Sequence, residues 1–151
     1  MNITIATATA DDLDAMADLL YELFTLESDF KPEREKQIRG LRLILDNPQI
    51  GQLFVLRVDG LVAGMANALI TVSTAEGRAV VLLEDVIVKA AFRGQKLGRK
   101  LVEHVFDWAA KAGMPRVTLL ADKDNAAALT FYEHLGFELS AMRVLRKNLS
   151  L

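Results

Sequence analysis

The sequence predicts an α/β protein whose helices flank a mixed, mostly antiparallel central sheet. The first observation is the pair Asp59-Gly60 between two apolar runs, which is typical of a two-residue β-hairpin turn. The second is a long apolar run, residues 78–88, that leads through a basic, glycine-containing loop into a pattern with helical spacing. The third is the alternation of strand and helix patterns along the chain, in the order β-α-α-β-β-β-α-β-α-β.

The N-terminal third indicates one strand followed by two helices. Residues 2–6 alternate as a short strand does, and Thr9 is a suitable cap for the helix that follows. One face of this helix is apolar at helical spacing and consists of Leu13, Met16, Leu20, Leu23 and Phe24. After a polar break at Glu27-Ser28-Asp29, Pro32 fits the first turn of a second helix. That helix is predicted to end near Leu45, because a proline follows closely.

The middle of the chain indicates three strands in succession. Residues 52–58 and 61–72 are apolar runs joined by the hairpin pair. Gly64, within the second run, predicts a bulge. After a polar loop, residues 78–88 are predicted to form a third strand, which is long and mostly apolar.

The C-terminal third indicates two further helices and two further strands. A helix is predicted from Leu97 onward, and Gly113 closes it. Residues 116–120 are predicted to be a short buried strand, and residues 126–135 a brief helix. Residues 137–145 are predicted to supply the last strand.

The composition limits the class of protein. A chain of 151 residues with 52% hydrophobic and 25% charged residues and a net charge of −2 is typical of one globular domain, predicted to span residues 1–151. This charge balance argues against binding to nucleic acid. The chain has no cysteine, no basic and apolar leader and no run long enough for a membrane span, so a cytoplasmic protein without disulfides is expected. His104 and His134 show no metal-binding pattern, so no metal is expected.

Residues 84–101 have the layout of an anion-binding site. An apolar strand ends in a loop with Gly94 and Gly98 and enters a helix, whose first N–H groups lack intrahelical partners. The basic residues around this loop are Arg93, Lys96, Arg99 and Lys100. The glycine spacing alone fits ordinary turn chemistry equally well. A Walker loop is excluded because no hydroxyl residue follows Gly98, and the dinucleotide fingerprint Gly-x-Gly-x-x-Gly is absent.

Two motifs resemble a known family. Residues 93–98, Arg-Gly-Gln-Lys-Leu-Gly, resemble motif A of the GCN5-related N-acetyltransferases, Arg/Gln-x-x-Gly-x-Gly/Ala. Lys96 stands where that family usually has its middle glycine. Residues 125–137 are similar to the family signature Asn-x-x-Ala-x-x-Phe-Tyr-x-x-x-Gly-Phe. The order of the predicted elements also matches, so the resemblance covers nearly the whole chain.

The resemblance implies a donor substrate and a binding site for it. Members of this family transfer the acetyl group of acetyl-CoA to a primary amine, by direct attack in a ternary complex. The matching positions are therefore expected to bind acetyl-CoA in this chain. They are Val86, Ile87, Val88, Arg93, Gly94, Gln95, Lys96, Leu97, Gly98, Arg99 and Asn125.

The resemblance also implies two catalytic residues. Tyr132 matches the tyrosine that protonates the departing sulfur, and a phenol is protonated at neutral pH as this role requires. Glu84 lies where an acidic residue often deprotonates the amine, directly or through water. Strand alternation places Asp85 on the opposite face. Glu84 fits a structural ion pair almost equally well, since the base varies in position within the family.

The acceptor and the rival functions stay open at this point. The family's acceptor wall includes the first two helices and their connection, where Glu22, Glu27 and Asp29 would suit a cationic amine. Polyamines, aminoglycosides, amino acids and protein N-termini all fit, and a homodimer is common among similar proteins. The main alternative is a non-catalytic acyl-CoA-binding module on the same fold, which would need neither Tyr132 nor an acidic base. A nucleotide-binding domain is disfavoured by the missing magnesium hydroxyl.

Overall fold

The computed structural model of this chain describes residues 1–27 and 29–151. Ser28, part of the predicted polar break, lies outside the described residues. The chain forms two compact units, Met1–Leu120 and Ala121–Leu151. No helix within the described ranges has both the length and the apolar character needed to cross a bilayer.

The first unit is built on a mixed sheet, as the sequence predicts. Its strands, in chain order and also in spatial order, are β1 (Ile3–Thr7), β2 (Gly51–Val58), β3 (Leu61–Ser73), β4 (Arg78–Val88) and β5 (Val117–Leu119). The first four strands pair antiparallel with their neighbours, and β5 pairs parallel with β4. The expected mixed, mostly antiparallel sheet is therefore confirmed.

The turn between β2 and β3 forms as the Asp59-Gly60 pair predicts. Asp59 has φ 49° and Gly60 φ 85°, so both residues are in the left-handed region that a two-residue hairpin turn requires. The pairing of β2 with β3 shifts between Leu56 and Arg57, next to the position where Leu56 faces Gly64. The bulge predicted at this glycine is thus present.

Three helices belong to the first unit, within its described residues: α1 (Leu13–Leu26), α2 (Arg34–Leu45) and α3 (Leu97–Lys111). A core cluster joins α1 to one face of the sheet, where Met16 and Leu20 pack with Leu53 and Val55. Phe54 points to the other face, because successive strand residues alternate. There its ring lies 5.4 Å from both His104 and Trp108 of α3. The helices therefore cover both faces of the sheet.

The start of α2 differs from the prediction. Pro32 precedes the helix, and Glu33 is its cap residue. The Glu33 N–H donates to Gln37 Oε1 at 2.7 Å, while the Glu33 carbonyl accepts from the Lys36 and Gln37 N–H groups. This reciprocal bond to a glutamine fixes the helix start after the proline. The predicted end at Leu45 is confirmed.

A buried ion pair ties the start of α1 to the sheet. Asp12 is 4% exposed and lies in a short 3₁₀ turn directly before α1. Its two carboxylate oxygens accept from Arg57 of β2 at 2.8 and 2.9 Å. The same carboxylate accepts the Thr9 N–H at 2.9 Å. The Asp12 carboxylate thus binds both a backbone N–H at the helix start and the guanidinium of Arg57 in β2.

The second unit contains α4 (Ala126–His134). Asn125 caps this helix, since its Oδ1 accepts the Ala128 N–H at 3.1 Å. Gly136, with φ 93°, follows its end as predicted.

The predicted last strand, residues 137–145, does not form. All residues of this segment are described, and none of them belongs to a strand. A strand needs a hydrogen-bonded neighbour and a face to bury, whereas Leu139, Met142 and Leu145 are 91%, 88% and 94% exposed. The residue types of a segment can favour a strand, but they do not supply the neighbouring strand.

Candidate functional site

A bulge interrupts β4 at the predicted catalytic position. Met65 of β3 faces Ile87, but Asn67 faces Glu84, so Asp85 and Val86 together oppose one residue of β3. Asp85 has φ 56°, the left-handed conformation of a bulge residue. Strand alternation is therefore broken between Glu84 and Val86, and the prediction that Asp85 simply faces away from Glu84 does not hold.

Asp85 is bound to a buried amide of the neighbouring strand. Asn67, which is 3% exposed, donates from Nδ2 to Asp85 Oδ2 at 3.2 Å. The Asn67 Oδ1 atom is also buried and has no hydrogen-bond partner in the described part of the chain. Burial raises the pKa of the Asp85 carboxyl above its ordinary value, while the hydrogen bond from Asn67 opposes this shift.

On its β5 side, the end of β4 pairs with no strand of the described residues, and this stretch is called the open edge. The parallel pairing with β5 joins Val81 to Val117 and Leu83 to Leu119, and β5 ends there. On the β5 side, residues 84–88 therefore extend past the end of β5. The Val88 carbonyl accepts from Arg93 Nε at 2.8 Å. The open edge includes Val86, Ile87 and Val88, which the resemblance assigns to acetyl-CoA.

The loop after β4 has two left-handed residues. A short 3₁₀ turn, Ala90–Phe92, is followed by Gly94 with φ 80° and Lys96 with φ 61°. Lys96 is the cap residue of α3, and its carbonyl accepts the first helical bond, from the Lys100 N–H at 3.2 Å. Helix geometry leaves the N–H groups of the three residues between them without intrahelical acceptors, namely Leu97, Gly98 and Arg99. No side chain within the described residues caps this helix end.

Lys96 adopts a conformation that suits glycine better. A left-handed non-glycine residue costs about 1–2 kcal/mol. We expect Lys96→Gly to raise the free energy of unfolding by about 1 kcal/mol and the melting temperature by about 2–4 °C. Thermal unfolding checks this against Lys100→Gly, a matched control that removes the same side chain inside α3 and is expected to destabilise by about 1 kcal/mol. A Lys96→Gly variant that is less stable than the parent would contradict backbone strain at Lys96.

Arg93 and Glu22 hold the loop against α1. Arg93 Nη2 donates to Glu22 Oε1 at 2.7 Å, and the Ala90 N–H donates to the same oxygen at 3.2 Å. With the bond to the Val88 carbonyl, Arg93 links β4, the loop and α1. The Glu22 carboxylate, predicted to face a cationic acceptor, is thus engaged by the loop.

The charges near the start of α3 are mostly positive. Arg93, Lys96, Arg99 and Lys100 all lie within eight residues of the chain and are exposed, as is Gln95. Arg99 forms an ion pair with Glu103 one turn further along the helix. Three helix N–H groups without intrahelical acceptors, the positive end of the helix dipole and these cations together favour a multiply charged anion.

The second unit holds the other two predicted site residues. Tyr132 lies on α4, and its ring packs edge-on against Phe131 at 5.0 Å and Phe137 at 5.5 Å. This packing fixes the ring of the predicted acid. Asn125 uses Oδ1 as the cap of α4, which leaves its Nδ2 group as the donor for any ligand.

Sequence reasoning missed Asn67, and it missed the contact with the loop that Glu22, named above for the acceptor wall, makes. Asn67 is a buried partner of the bulge, and the available signal was a single amide inside the apolar run of residues 61–72. Glu22 anchors the loop, and it carried no local signal, because its contacts with Ala90 and Arg93 join residues 68 and 71 positions apart.

Comparison with known proteins identifies relatives of the chain. A family model described as the acetyltransferase (GNAT) family matches residues 13–137. An uncharacterized N-acetyltransferase of Methanocaldococcus jannaschii is 29% identical over 136 residues, which are 89% of this chain and 60% of that protein. The ribosomal protein bS18-alanine N-acetyltransferase of Escherichia coli K12 is 38% identical over 61 residues, 40% of this chain and 41% of that enzyme. A possible acetyltransferase from Clostridium difficile 630 shares the fold, with a TM-score of 0.89 over 100% of both chains at 19% identity.

Proposed function

Because the chain belongs to the acetyltransferase (GNAT) family, we propose that it moves an acetyl group from acetyl-CoA to a primary amine, by direct attack in a ternary complex. The observation that carries this proposal is the start of α3. It follows β4 through a loop with two left-handed residues and presents three N–H groups without intrahelical acceptors. The pyrophosphate of acetyl-CoA is an anion that such a helix end binds.

The loop and the first turn of α3 are the proposed pyrophosphate site. Its members are Arg93, Gly94, Gln95, Lys96, Leu97, Gly98 and Arg99. The backbone N–H groups at the helix start supply the directed donors, and the lysine and arginine side chains supply the charge. Arg93 acts mainly by holding the loop, since its guanidinium is engaged by Val88 and Glu22.

The open edge of β4 is the proposed site for the pantetheine arm and the thioester. Backbone groups of Val86, Ile87 and Val88 lie past the end of β5, where an extended ligand adds like a strand. One backbone N–H of this edge would polarise the thioester carbonyl as negative charge develops on its oxygen. We assign the Asn125 amide N–H to the same arm.

Two side chains are proposed to move protons. The acceptor amine, with an ordinary pKa of about 10, must lose a proton before it attacks the thioester carbon. We assign this proton to Glu84, directly or through water. The C–S bond then breaks, and Tyr132 donates its phenolic proton to the departing sulfur.

Replacing Tyr132 by phenylalanine tests the acid directly. The variant keeps the ring packing, so we expect acetyl-CoA binding to be unchanged while kcat falls about 10²- to 10⁴-fold. Steady-state assays and calorimetry measure the two quantities. Tyr21→Phe is the matched control, because Tyr21 is the other tyrosine of the sequence and is 62% exposed on α1. Unchanged turnover of Tyr132→Phe would remove Tyr132 from the acid role.

The proposed function is tested by calorimetric titration with acetyl-CoA, followed by thiol-release assays. The acceptor panel contains a polyamine, an aminoglycoside, free amino acids and a peptide with an N-terminal alanine. Binding with acceptor-dependent thiol release, and intersecting rather than parallel initial-rate lines, supports direct transfer in a ternary complex. Binding without release from any amine would indicate a non-catalytic acyl-CoA-binding module. Absence of acetyl-CoA binding would overturn the proposed acetyl-CoA site.

A further inference from the structure

We propose that Asn67 and Asp85 form a closed pair of amide and carboxyl groups, joined by two hydrogen bonds, which fixes the β4 bulge and positions the Val86 backbone for acetyl transfer. The second hydrogen bond runs from the Asp85 O–H to Asn67 Oδ1. Asp85 is thus a positioning residue that acts through the bulge. The positioning role rests on the proposed function, whereas the pair itself does not.

The geometry around Asn67 calls for a donor. Asn67 Nδ2 already donates to Asp85 Oδ2 at 3.2 Å, so the amide and the carboxyl face each other. The other amide atom, Oδ1, is buried without a partner among the described residues. Buried acceptors are normally satisfied, and an ionised carboxylate has no hydrogen to offer. A protonated Asp85 supplies that hydrogen from the side chain already in contact.

The surroundings of Asp85 favour the protonated form. Asp85 as a whole residue is half-buried, but desolvation of its carboxyl raises the pKa, and no charged side chain of the described ranges is among the causes of the shift. Glu84 precedes it on β4 and faces Asn67 across the ladder. No cation among the described residues forms an ion pair with Asp85. The pair therefore satisfies a buried amide without placing an ionised group beside it.

The bulge gives this pair a role in positioning. Asp85 holds φ 56°, which is uncommon for a non-glycine residue, and its backbone and that of Val86 oppose one residue of β3. Such a conformation persists only where its surroundings hold it. Among the described residues, the hydrogen bond from Asn67 is the contact that holds the Asp85 side chain. The same bulge sets the direction of the Val86 backbone on the open edge of β4.

A protonated Asp85 is distinct from a catalytic base. A carboxyl that carries its proton cannot take one from the amine, so the base role stays with Glu84. The substitution Asp85→Asn therefore distinguishes a positioning role from a catalytic base. Asparagine tolerates the left-handed region, and its amide can donate to Asn67 Oδ1 and accept from Asn67 Nδ2 as a protonated carboxyl does.

The kinetic test compares Asp85→Asn, Asp85→Ala and the control Asp107→Asn, whose carboxyl is exposed on α3. We expect kcat of Asp85→Asn to stay within about threefold of the parent, because the neutral pair is kept. For Asp85→Ala we expect kcat to fall about 10- to 100-fold, because Asn67 loses its partner and the bulge its support. Equal and large losses in both variants would show that the carboxylate itself is needed, and an unchanged Asp85→Ala would remove the positioning role. Either result overturns the proposal.

A second measurement needs neither an acceptor nor acetyl-CoA. Infrared spectra of the free protein at neutral pH are expected to show a protonated-carboxyl band that disappears in Asp85→Asn and persists in Asp107→Asn. Absence of this band in the parent would overturn the pair, whether or not any amine is acetylated. Failure of the proposed function would instead appear as a retained band without acetyl transfer.

The pH dependence of stability gives an independent check on the direction of the Asp85 pKa shift. Because the folded-state pKa of Asp85 is raised, its contribution to stability is fully present below the unfolded pKa and is lost as pH rises through the folded value. We expect Asp85→Asn to lack this loss, so its unfolding midpoint should decline less than that of the parent as the pH is raised. Identical slopes in the two proteins would contradict a protonated Asp85.

Discussion

Replacing Asp12 by alanine is expected to lower the free energy of unfolding by about 3 kcal/mol, the lower end of the range for breaking a buried ion pair. The Asp12 side chain is 6% exposed and that of Arg57 is 29% exposed, so the arginine would stay partly buried without its partner. The Thr9 N–H would lose its acceptor at the start of α1 as well. Two elements of the fold are weakened by one substitution.

Urea unfolding measures this loss, with Asp14→Ala as the matched control. Asp14 also binds an arginine, at 3.2 Å, but its side chain is 86% exposed. An exposed ion pair contributes at most about 1 kcal/mol, so the control should unfold close to the parent. In the Asp12→Ala background, Arg57→Met should recover part of the loss, because it removes the unpaired cation. Equal destabilisation by Asp12→Ala and Asp14→Ala would contradict this account of the buried pair.

Replacing Gly98 by glutamate is expected to weaken acetyl-CoA binding at least about 100-fold, since bringing like charges together costs several kcal/mol. Gly98 lies in the first turn of α3, among the three residues whose N–H groups are proposed to bind the pyrophosphate. The substitution puts bulk and negative charge at that point. It should not harm the helix, because a carboxylate near a helix N-terminus is favourable and glutamate has the higher helix propensity.

Calorimetric titration with acetyl-CoA, combined with thermal unfolding, separates lost binding from lost folding. Gly40→Glu is the matched control, since a β-carbon at Gly40 of α2 would meet no atom within 4 Å outside its own stretch of helix. It makes the same change of charge and should bind acetyl-CoA as the parent does. A folded Gly98→Glu variant that retained the parent affinity would mean that the pyrophosphate binds elsewhere.

The parts of the fold with local signals were predictable from the sequence. The Asp59-Gly60 turn, the long strand β4 and the helix α3 each depend on residues close together in the chain. Lys96 stands at the motif position that usually holds glycine, and its backbone is left-handed there, with φ 61°. Turn residues and apolar spacing act over a few residues, so one sequence suffices to identify them.

The features that the sequence did not predict depend on distant partners. The contact between Glu22 and Arg93 joins α1 to the loop across 71 positions, and no local pattern records it. The bulge at Asp85 breaks the alternation on which the strand prediction relied. Residues 137–145 are predicted to form a strand, but pairing requires a neighbour with free backbone groups, which the sequence of the segment does not supply.

The position of β1, at the edge of the sheet and far in sequence from its partner, affects the order in which the sheet assembles. β1 is an edge strand that pairs with β2 alone in the described sheet, and the bond from the Asn2 N–H to Asp59 closes a loop of 57 positions. The β2–β3 hairpin, joined by a two-residue turn, closes at far lower entropic cost. We therefore expect the hairpin to form before β1 docks during folding. If the N-terminal strand joins last, substitutions in β1 are expected to raise the unfolding rate more than they lower the folding rate.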